Sequence, residues 1–206
     1  MFADRHEAAI QLAAQLGKYR GLNPLVLGIP RGAVPMARVI AGKLAGEVGV
    51  ALVRKLGAPG NPEFAIGAVD ESGWSQVAAH ARSAGADAAY LEQETRAQVE
   101  VLKARRAAYT VVRPAADPQG RIVIVVDDGL ATGATMIAAL HALRARNPAK
   151  LICAVPVAPP ETIDEVSRHC DQMVCLEAPD NFHSVGQFFR RFEQVSDAEV
   201  VAALKD

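Results

Sequence analysis

A run of five consecutive apolar β-forming residues, Ile122–Val126, constrains the fold of this 206-residue chain more than any other segment. Two aspartates and a loop of small residues follow at once, and an apolar helical pattern then continues to about Arg146. An apolar run of this length, bounded by turn residues, is typical of a strand inside a sheet. The segment therefore predicts a central strand, a loop and a helix of an open α/β sheet.

The rest of the chain repeats this alternation of strand and helix patterns. Apolar strand patterns occupy residues 24–29, 48–53, 65–69, 151–157 and 173–176. Helical patterns occupy residues 4–16, 34–44, 87–109 and 161–169, and two short helices are expected in the tail from Phe182 onward. This alternation favours one α/β domain with a mainly parallel central sheet. We expect its core at residues 22–177, with residues 1–21 and 178–206 as hood and covering helices, whereas residues 71–88 have no assignment.

The charge balance excludes several functional classes. The chain has 22 basic and 23 acidic side chains, which give neither a general attraction for nucleic acid nor a polybasic membrane anchor. Charged residues interrupt the N-terminal segment, and no apolar window reaches the length of a bilayer span. The three cysteines form an odd set without the ligand spacing of a metal site. We therefore expect a cytoplasmic protein without disulfides, membrane anchor, bound nucleic acid or metal site of its own.

The acids Asp127 and Asp128 stand at the carboxyl end of a central strand, where ligands of open α/β sheets bind. Five small residues then open the helix, so that backbone N–H groups can face an anion; these residues are Ala131, Thr132, Gly133, Ala134 and Thr135. Carboxylates accept hydrogen bonds from sugar hydroxyls, so this order of groups predicts a ribose phosphate ligand. The lysine of a nucleotide P-loop and the glycine pattern of dinucleotide sites are absent, which excludes those two motifs. An ordinary Asp-Asp-Gly turn after a buried strand is the alternative.

The segment IVIVVDDGLATGAT resembles the phosphoribosyl pyrophosphate motif of type I phosphoribosyltransferases. Gly129 departs from the aliphatic residue that is usual there, but removes no ligand group. The segments PRGAVP, RKLGAPGNPEFAIGAV and VGQFFRRFEQVSD are also similar to an uncharacterised bacterial group of that family. The resemblance implies a three-layer α/β sandwich with a small variable hood, and a transferase that binds phosphoribosyl pyrophosphate.

The resemblance also implies roles for residues upstream of the motif. The turn at Arg31 and Gly32 resembles the family's pyrophosphate-binding turn, which implies a strained or cis peptide near it. Arg54 and Lys55, at the end of the second strand, would stabilise charge on the leaving pyrophosphate, and residues 57–62 resemble a mobile loop that closes over the substrate. An exposed turn and a solvated basic pair are the alternatives.

The implied reaction is displacement at the anomeric carbon of the ribose, in which a nitrogen acceptor enters and magnesium-bound pyrophosphate leaves. Mg²⁺ would bind through substrate oxygens and need no protein cage. Ala131 stands where enzymes for 6-oxopurines carry an aspartate, which argues against hypoxanthine or guanine. Glu63 is a candidate proton acceptor, and Phe182 is a candidate to stack on a flat acceptor. The identity of the base or amine stays open, and so does a homodimer.

Two functions other than catalysis fit the same motif. A nucleotide sensor or regulator would keep the phosphate site without turnover, and a protein-interaction module would leave Asp127 and Asp128 idle. Arg54, Lys55 and the loop after them favour an enzyme over these alternatives.

Overall fold

The computed structural model describes residues 1–205, apart from the side chain of Glu63. Within these residues the α-helices are α1 (Arg5–Gln15), α2 (Ala33–Leu44), α3 (Ala88–Val112), α4 (Ala134–Arg144), α5 (Pro160–Ser167) and α6 (Asp197–Lys205). The strands are β1 (Leu25–Gly28), β2 (Glu47–Val50), β3 (Val53–Ala58), β4 (Asn61–Asp70), β5 (Ser75–Val77), β6 (Ile122–Val126), β7 (Lys150–Val157) and β8 (Gln172–Glu177). Single turns of 3-10 helix cover Gly17–Tyr19 and Val185–Phe188.

Five of the strands form a parallel sheet in the order β2-β1-β6-β7-β8. The predicted central strand is therefore confirmed, since β6 lies in the middle of the sheet with neighbours on both sides. β1 and β6 pair in register, with Gly28 opposite Val126. The Ile29 N–H also donates to the Val126 carbonyl at 3.0 Å. As a result, the chain leaves both strands at the same edge of the sheet and at the same level.

The two faces of this sheet are covered by different helices, which confirms the three-layer α/β sandwich. On one face, α1 and α2 contribute Leu12, Met36 and Ile40, which pack with Val26 and Ile124 of the sheet. On the other face, α4 and α5 pack on the side chains that alternate with these; they include Leu25, Val123, Val125, Met136, Leu140, Leu151 and Val166. The alternation follows from the strand geometry, because successive side chains point to opposite faces.

The remaining strands form a separate antiparallel sheet, β3-β4-β5, where the sequence had indicated a strand end and a mobile loop. The strand predicted at residues 48–53 is confirmed as β2, but its predicted end is wrong, because β2 ends at Val50 and a separate strand, β3, begins at Val53. Arg54 and Lys55 consequently lie inside β3 rather than at the end of a strand of the main sheet. Residues 57–62, for which the sequence predicted a mobile loop, form the tip of the β3–β4 hairpin. Their mobility stays a prediction.

Glycine explains why a Gly/Pro-rich segment closes as a hairpin here. The register between β3 and β4 shifts on both sides of Gly57, where a side chain would lie 2.7 Å from the Pro62 Cα. Gly60 in the turn has a φ of +71°, which a glycine adopts without steric cost. Glycine therefore forms a β-bulge at Gly57 and a tight turn at Gly60, whereas the sequence had indicated an irregular loop.

The three-stranded sheet is anchored on α4 through residues that the sequence left unassigned. Trp74 stacks on His141 with ring centroids 3.6 Å apart. Asp70 is fully buried, and its Oδ1 accepts hydrogen bonds from the Ser72 and Trp74 N–H groups at 2.7 and 3.2 Å. These contacts close the turn between β4 and β5 and place it against the main domain.

The long helix expected at residues 87–109 is confirmed as α3. Asp87 caps it by accepting a hydrogen bond from the Tyr90 N–H at 2.8 Å. Its buried residues Leu102 and Tyr109 pack in a cluster with the antiparallel sheet and with α6. None of the described helices combines the length and the apolar composition that a bilayer span needs.

The first residues of the chain meet the segment after β8 at the sheet edge where β1 and β6 end. Phe2 forms a parallel bridge with Phe189, with its N–H donating to the Phe188 carbonyl at 2.8 Å. Arg191 forms an ion pair with Asp4 at 2.7 Å. The start of α1 is therefore fixed to the segment that follows β8.

Candidate functional site

The residues after β1 and those after β6 form one site. Arg31 and Gly32 follow β1, and the Pro30–Arg31 peptide bond is cis, next to the position where the sequence resemblance implied one. Asp127 and Asp128 follow β6. The two turns are in contact, because a Cβ atom on residue 32 would overlap the Asp128 Oδ2 atom. A glycine at this position is what allows the acid to lie against the turn.

The loop after the acids needs two further glycines. Gly129 has a φ of +154° and lies against the tail, where a side chain would come within 2.6 Å of a Val185 methyl group. Gly133 has a φ of +74°, and a side chain there would come within 2.7 Å of a Val166 methyl group. Both positions combine a positive φ with a close approach, so that any other residue is strained.

Neighbouring elements fix the loop at two further points. The Thr162 hydroxyl of α5 donates to the Ala131 carbonyl at 2.7 Å. The Leu130 N–H donates to the Val157 carbonyl at the end of β7 at 2.9 Å, and Leu130 is buried. The start of the loop is therefore attached both to the sheet, at Leu130, and to α5, at Ala131.

The loop leads into the N-terminus of α4, which leaves backbone donors available. Gly133 is the N-cap, and no side chain caps the helix there among the described residues. The first N–H groups of a helix have no carbonyl partner inside the helix, and they carry the positive end of its dipole. Ala131 and Thr132 are exposed, and Ala134 and Thr135 are half-buried. The predicted small residues therefore lie at a helix N-terminus whose free backbone N–H groups are of the kind that favour an anion.

Asp128 makes an ion pair that the sequence did not indicate. Arg5 of α1 contacts its Oδ2 through both Nε and Nη2, each at 2.8 Å. The two side chains are only 15% and 18% exposed. The third nitrogen, Nη1, donates to the Glu193 carbonyl at 2.6 Å, and the guanidinium lies 3.8 Å from the ring centroid of Phe192. Both ends of the chain thus take part in this site.

Burial and proximity shift the pKa values of both acids upward. For Asp127, burial raises the pKa well above its usual value, and the neighbouring Asp128 carboxylate raises it further. The Asp128 N–H opposes this by donating to the Asp127 Oδ1 at 2.9 Å. For Asp128, burial again raises the pKa, and Arg5 counteracts it. Two crowded carboxylates favour a partner that brings hydroxyl donors or positive charge.

The other predicted site residues lie at different distances from this centre. Arg31 points to the start of α6, with its Nη1 3.6 Å from the Asp197 Oδ2. Arg54 faces α3, where burial and Arg105 lower its pKa, and its buried Nε has no hydrogen-bond partner among the described residues. Lys55 is half-buried in β3.

The two residues predicted to contact the acceptor, Phe182 and Glu63, lie on different elements. Phe182 lies after β8 and stacks on Phe188 with centroids 5.5 Å apart. Glu63 belongs to β4, but its side chain lies outside the described residues. The structure thus brings Arg31 and Gly32 next to the acidic loop, while Arg54 is placed against α3. Among the described residues no group of three or more potential metal ligands is clustered.

Arg5 is the residue of this site that sequence reasoning missed. It is separated from Asp128 by 123 positions, and no local motif marks it. One weak signal exists, because Arg5 is the first residue of α1, where a cation opposes the helix dipole. A basic side chain in that position suggests that something outside the helix holds it.

Comparisons with known proteins agree with this architecture. A family model described as "Phosphoribosyl transferase domain" matches residues 3–191. Two Mycobacterium tuberculosis proteins, from strains CDC 1551 / Oshkosh and ATCC 25618 / H37Rv, are provisionally named phosphoribosyl transferases; each is 40% identical over 205 residues, which is 99% of this chain and 46% of the relative. The chain therefore spans about half the length of these curated relatives. The crystal structure of TT1426 from Thermus thermophilus has 45% sequence identity and a TM-score of 0.82, covering 99% of this chain and 97% of that one.

Proposed function

Since the chain belongs to the phosphoribosyl transferase family, we propose that it binds phosphoribosyl pyrophosphate at residues 127–135. We further propose that it transfers the phosphoribosyl group to a nitrogen acceptor with release of pyrophosphate. One observation carries this proposal: a half-buried pair of carboxylates and an uncapped helix N-terminus lie within one loop. The first suits the ribose hydroxyls and the second suits the 5′-phosphate.

The proposed roles follow the positions of the groups. The N–H groups at the start of α4, with the Thr132 and Thr135 hydroxyls, would bind the 5′-phosphate. Asp127 and Asp128 would orient the ribose ring by accepting hydrogen bonds from its hydroxyls. The turn at Arg31 and Gly32 is adjacent to Asp128 and would bind the pyrophosphate. Fixing the anomeric carbon in this way supplies much of the catalysis, because the reaction needs orientation and charge stabilisation more than covalent chemistry.

Mg²⁺ fits this arrangement as a companion of the substrate. When bound, it neutralises the charge of the pyrophosphate oxygens. The carboxylates of Asp127 and Asp128 are adjacent and half-buried, so their combined negative charge suits a cation that arrives on the substrate. Mg²⁺ characteristically keeps several waters and uses one or two carboxylates together with substrate phosphates.

The proposal for the acceptor excludes 6-oxopurines and assigns roles to two side chains, Phe182 and Glu63. Ala131 leaves the loop without the acid that serves 6-oxopurines in the family, so we propose a different base or an amine. Phe182, already stacked on Phe188, provides a flat surface after β8. Glu63 remains the proposed proton acceptor, and Arg54 and Lys55 remain proposed to stabilise the leaving pyrophosphate.

A sensor that binds the same ligand without turnover is the second candidate. It is favoured by the observation that Asp128 is already engaged by Arg5, and Arg5 by the tail. In a sensor, ligand binding would be read out through the tail rather than through chemistry.

Binding and turnover are tested separately. Titration with magnesium phosphoribosyl pyrophosphate in a calorimeter should show saturable binding, which Asp127→Asn weakens at least about tenfold, since hydrogen bonds to charged groups are worth about 1.5–3 kcal/mol. Asp117→Asn is a matched control, because it also removes one negative charge but lies in an exposed pair with Arg146. Wild-type affinity in the control is expected.

Pyrophosphate release is then measured across a panel of nucleobases and amines. Release with at least one acceptor supports the transferase. Binding without release across the panel would favour the sensor. Absence of binding by the wild-type protein would refute both.

A further inference from the structure

We propose that Arg5 is a positioning residue of the phosphoribosyl pyrophosphate site: it fixes Asp128 through one carboxylate oxygen and leaves the other for a ribose hydroxyl. The inference rests on the proposed function. It adds to the site a residue that lies outside every motif of the sequence and far along the chain from the acidic loop.

The geometry of the pair supports positioning rather than direct substrate binding. Nε and Nη2 of Arg5 both contact the same atom, Asp128 Oδ2. Nη1 is engaged by the Glu193 carbonyl. Each of the three guanidinium nitrogens therefore has a protein partner, whereas Asp128 Oδ1 is not used by the guanidinium. A carboxylate held by one oxygen can rotate little, so its second oxygen is presented in one direction.

The surroundings of Arg5 fix the guanidinium itself. Its plane lies over Phe192, 3.8 Å from the ring centroid, and stacking of this kind restricts an arginine side chain. Upstream, the Phe2 bridge to Phe189 and the Asp4 pair with Arg191 fix the first residues of the chain. The position from which Arg5 contacts Asp128 is therefore fixed by residues 2–4 and by residues 189–192.

The site also has room for this arrangement only because of Gly32. A Cβ on residue 32 would overlap Asp128 Oδ2 and lie 3.2 Å from the Arg5 Nε. The turn at Gly32, the Asp128 carboxylate and the Arg5 guanidinium thus meet at one point. A buried ion pair is often no more stabilising than apolar residues of the same shape, so stability alone does not explain a pair at this position.

Arg5 also acts on the charge state of the acid. The groups that face Asp128 are Asp127 and Arg5, and Glu199 of α6 lies beyond Arg5. Burial raises the pKa of Asp128, and Arg5 is the group that opposes this rise. Loss of Arg5 should therefore raise the pKa of Asp128 further, so that the carboxylate becomes protonated at a higher pH.

The test compares Arg5→Met, Arg5→Lys and the control Arg146→Met in calorimetric titrations with magnesium phosphoribosyl pyrophosphate at a series of pH values. Arg146 is a basic residue outside the site that is 60% exposed and pairs with Asp117. Arg5→Met should weaken binding about 10- to 100-fold, as expected for lost hydrogen bonds to a charged group. It should also move the acidic loss of binding to a higher pH.

Arg5→Lys keeps the charge but offers a single nitrogen. We expect it to restore the pH midpoint of binding while leaving the affinity between those of wild type and Arg5→Met. It also serves as the second variant if Arg5→Met does not fold, which circular dichroism shows. Arg146→Met should bind as the wild type does, because its exposed pair with Asp117 takes no part in the site.

The outcomes separate this inference from the proposed function. If the wild-type protein binds and both Arg5 variants bind equally well with the same pH profile, the positioning role is refuted while the ligand site stands. If affinity falls but the pH midpoint does not move in Arg5→Met, the role is only structural, and the inference is again refuted. If the wild-type protein does not bind, the proposed function fails and the inference fails with it.

Discussion

Gly32→Ala is the sharpest perturbation of the site, because it adds one methyl group at the point where three elements meet. Gly32 has a φ of −55°, so that alanine fits the backbone and only the added atom matters. The new Cβ would overlap the Asp128 Oδ2, and ordinary contact begins near 3.4 Å. The carboxylate must therefore retreat by roughly an ångström, which stretches its 2.8 Å contacts with Arg5 beyond hydrogen-bond range.

The size of the effect follows from the contacts that are lost. Both side chains of the pair are less than one fifth exposed, and hydrogen bonds to charged groups are worth about 1.5–3 kcal/mol. At roughly 2–4 °C per kcal/mol for a domain of this size, the Tm should fall by about 3–12 °C. Affinity for magnesium phosphoribosyl pyrophosphate should fall at least about tenfold, because Asp128 would be displaced from the position proposed for its contact with the ribose.

Gly42→Ala is the matched control in the same helix. A side chain at Gly42 would meet no atom within 4 Å, so it should add about 0.5–1 kcal/mol of helix stability and leave binding unchanged. Differential scanning calorimetry and titration calorimetry measure both variants. If Gly32→Ala shows the Tm and affinity of the wild-type protein, the close packing of Gly32 against Asp128 and Arg5 is wrong.

Three other variants test the acidic loop and the antiparallel sheet. Asp127→Asn should raise the Tm of the ligand-free protein: burial raises the pKa of Asp127, so the stability that it contributes is present below its ordinary pKa and is lost as pH rises through the raised value. A Tm gain that does not grow from pH 4 to 8 would contradict this. Gly133→Ala should lose at least about 1–2 kcal/mol in urea unfolding, from its φ of +74° and the contact with Val166, and a loss near zero would count against that geometry. Asp70→Ala should lose about 1–3 kcal/mol by leaving donors of residues 72–74 unpaired, with unchanged ligand affinity as the specific expectation.

Local signals were sufficient for the sheet and for the acidic loop. Ile122–Val126 could be identified as a central strand because its apolar run and the turn after it lie within a few residues of each other. The same holds for α3, where the cap at Asp87 and the helical pattern adjoin. The strand, the acidic loop and the helix each depend on residues that are close in sequence, so they can be predicted without a structure.

The antiparallel sheet and the Arg5 contact could not be predicted for two different reasons. At residues 57–62, glycine and proline are equally compatible with an irregular loop and with a bulged hairpin. The hairpin is held by contacts that are distant in sequence, such as the hydrogen bond that the Tyr90 hydroxyl of α3 donates to the Gly57 carbonyl at 2.9 Å. Arg5 meets Asp128 only after the chain has folded around the residues between them, which separate the pair by 123 positions. The bridge between Phe2 and Phe189, which accompanies this contact, likewise joins residues far apart in sequence, and no local pattern reveals it.

If Arg5 positions Asp128 as proposed, the bridge between Phe2 and Phe189 links ligand binding to the order of the two segments that it joins. Opening of either segment would then withdraw the support of Arg5, and a ligand that needs Asp128 in place would oppose that opening. By mass action, a ligand at about one hundred times its Kd suppresses such openings by about 2.7 kcal/mol. Hydrogen exchange should slow at the amides of Phe2 and Arg190, which donate across the bridge, although both belong to the edges of the domain.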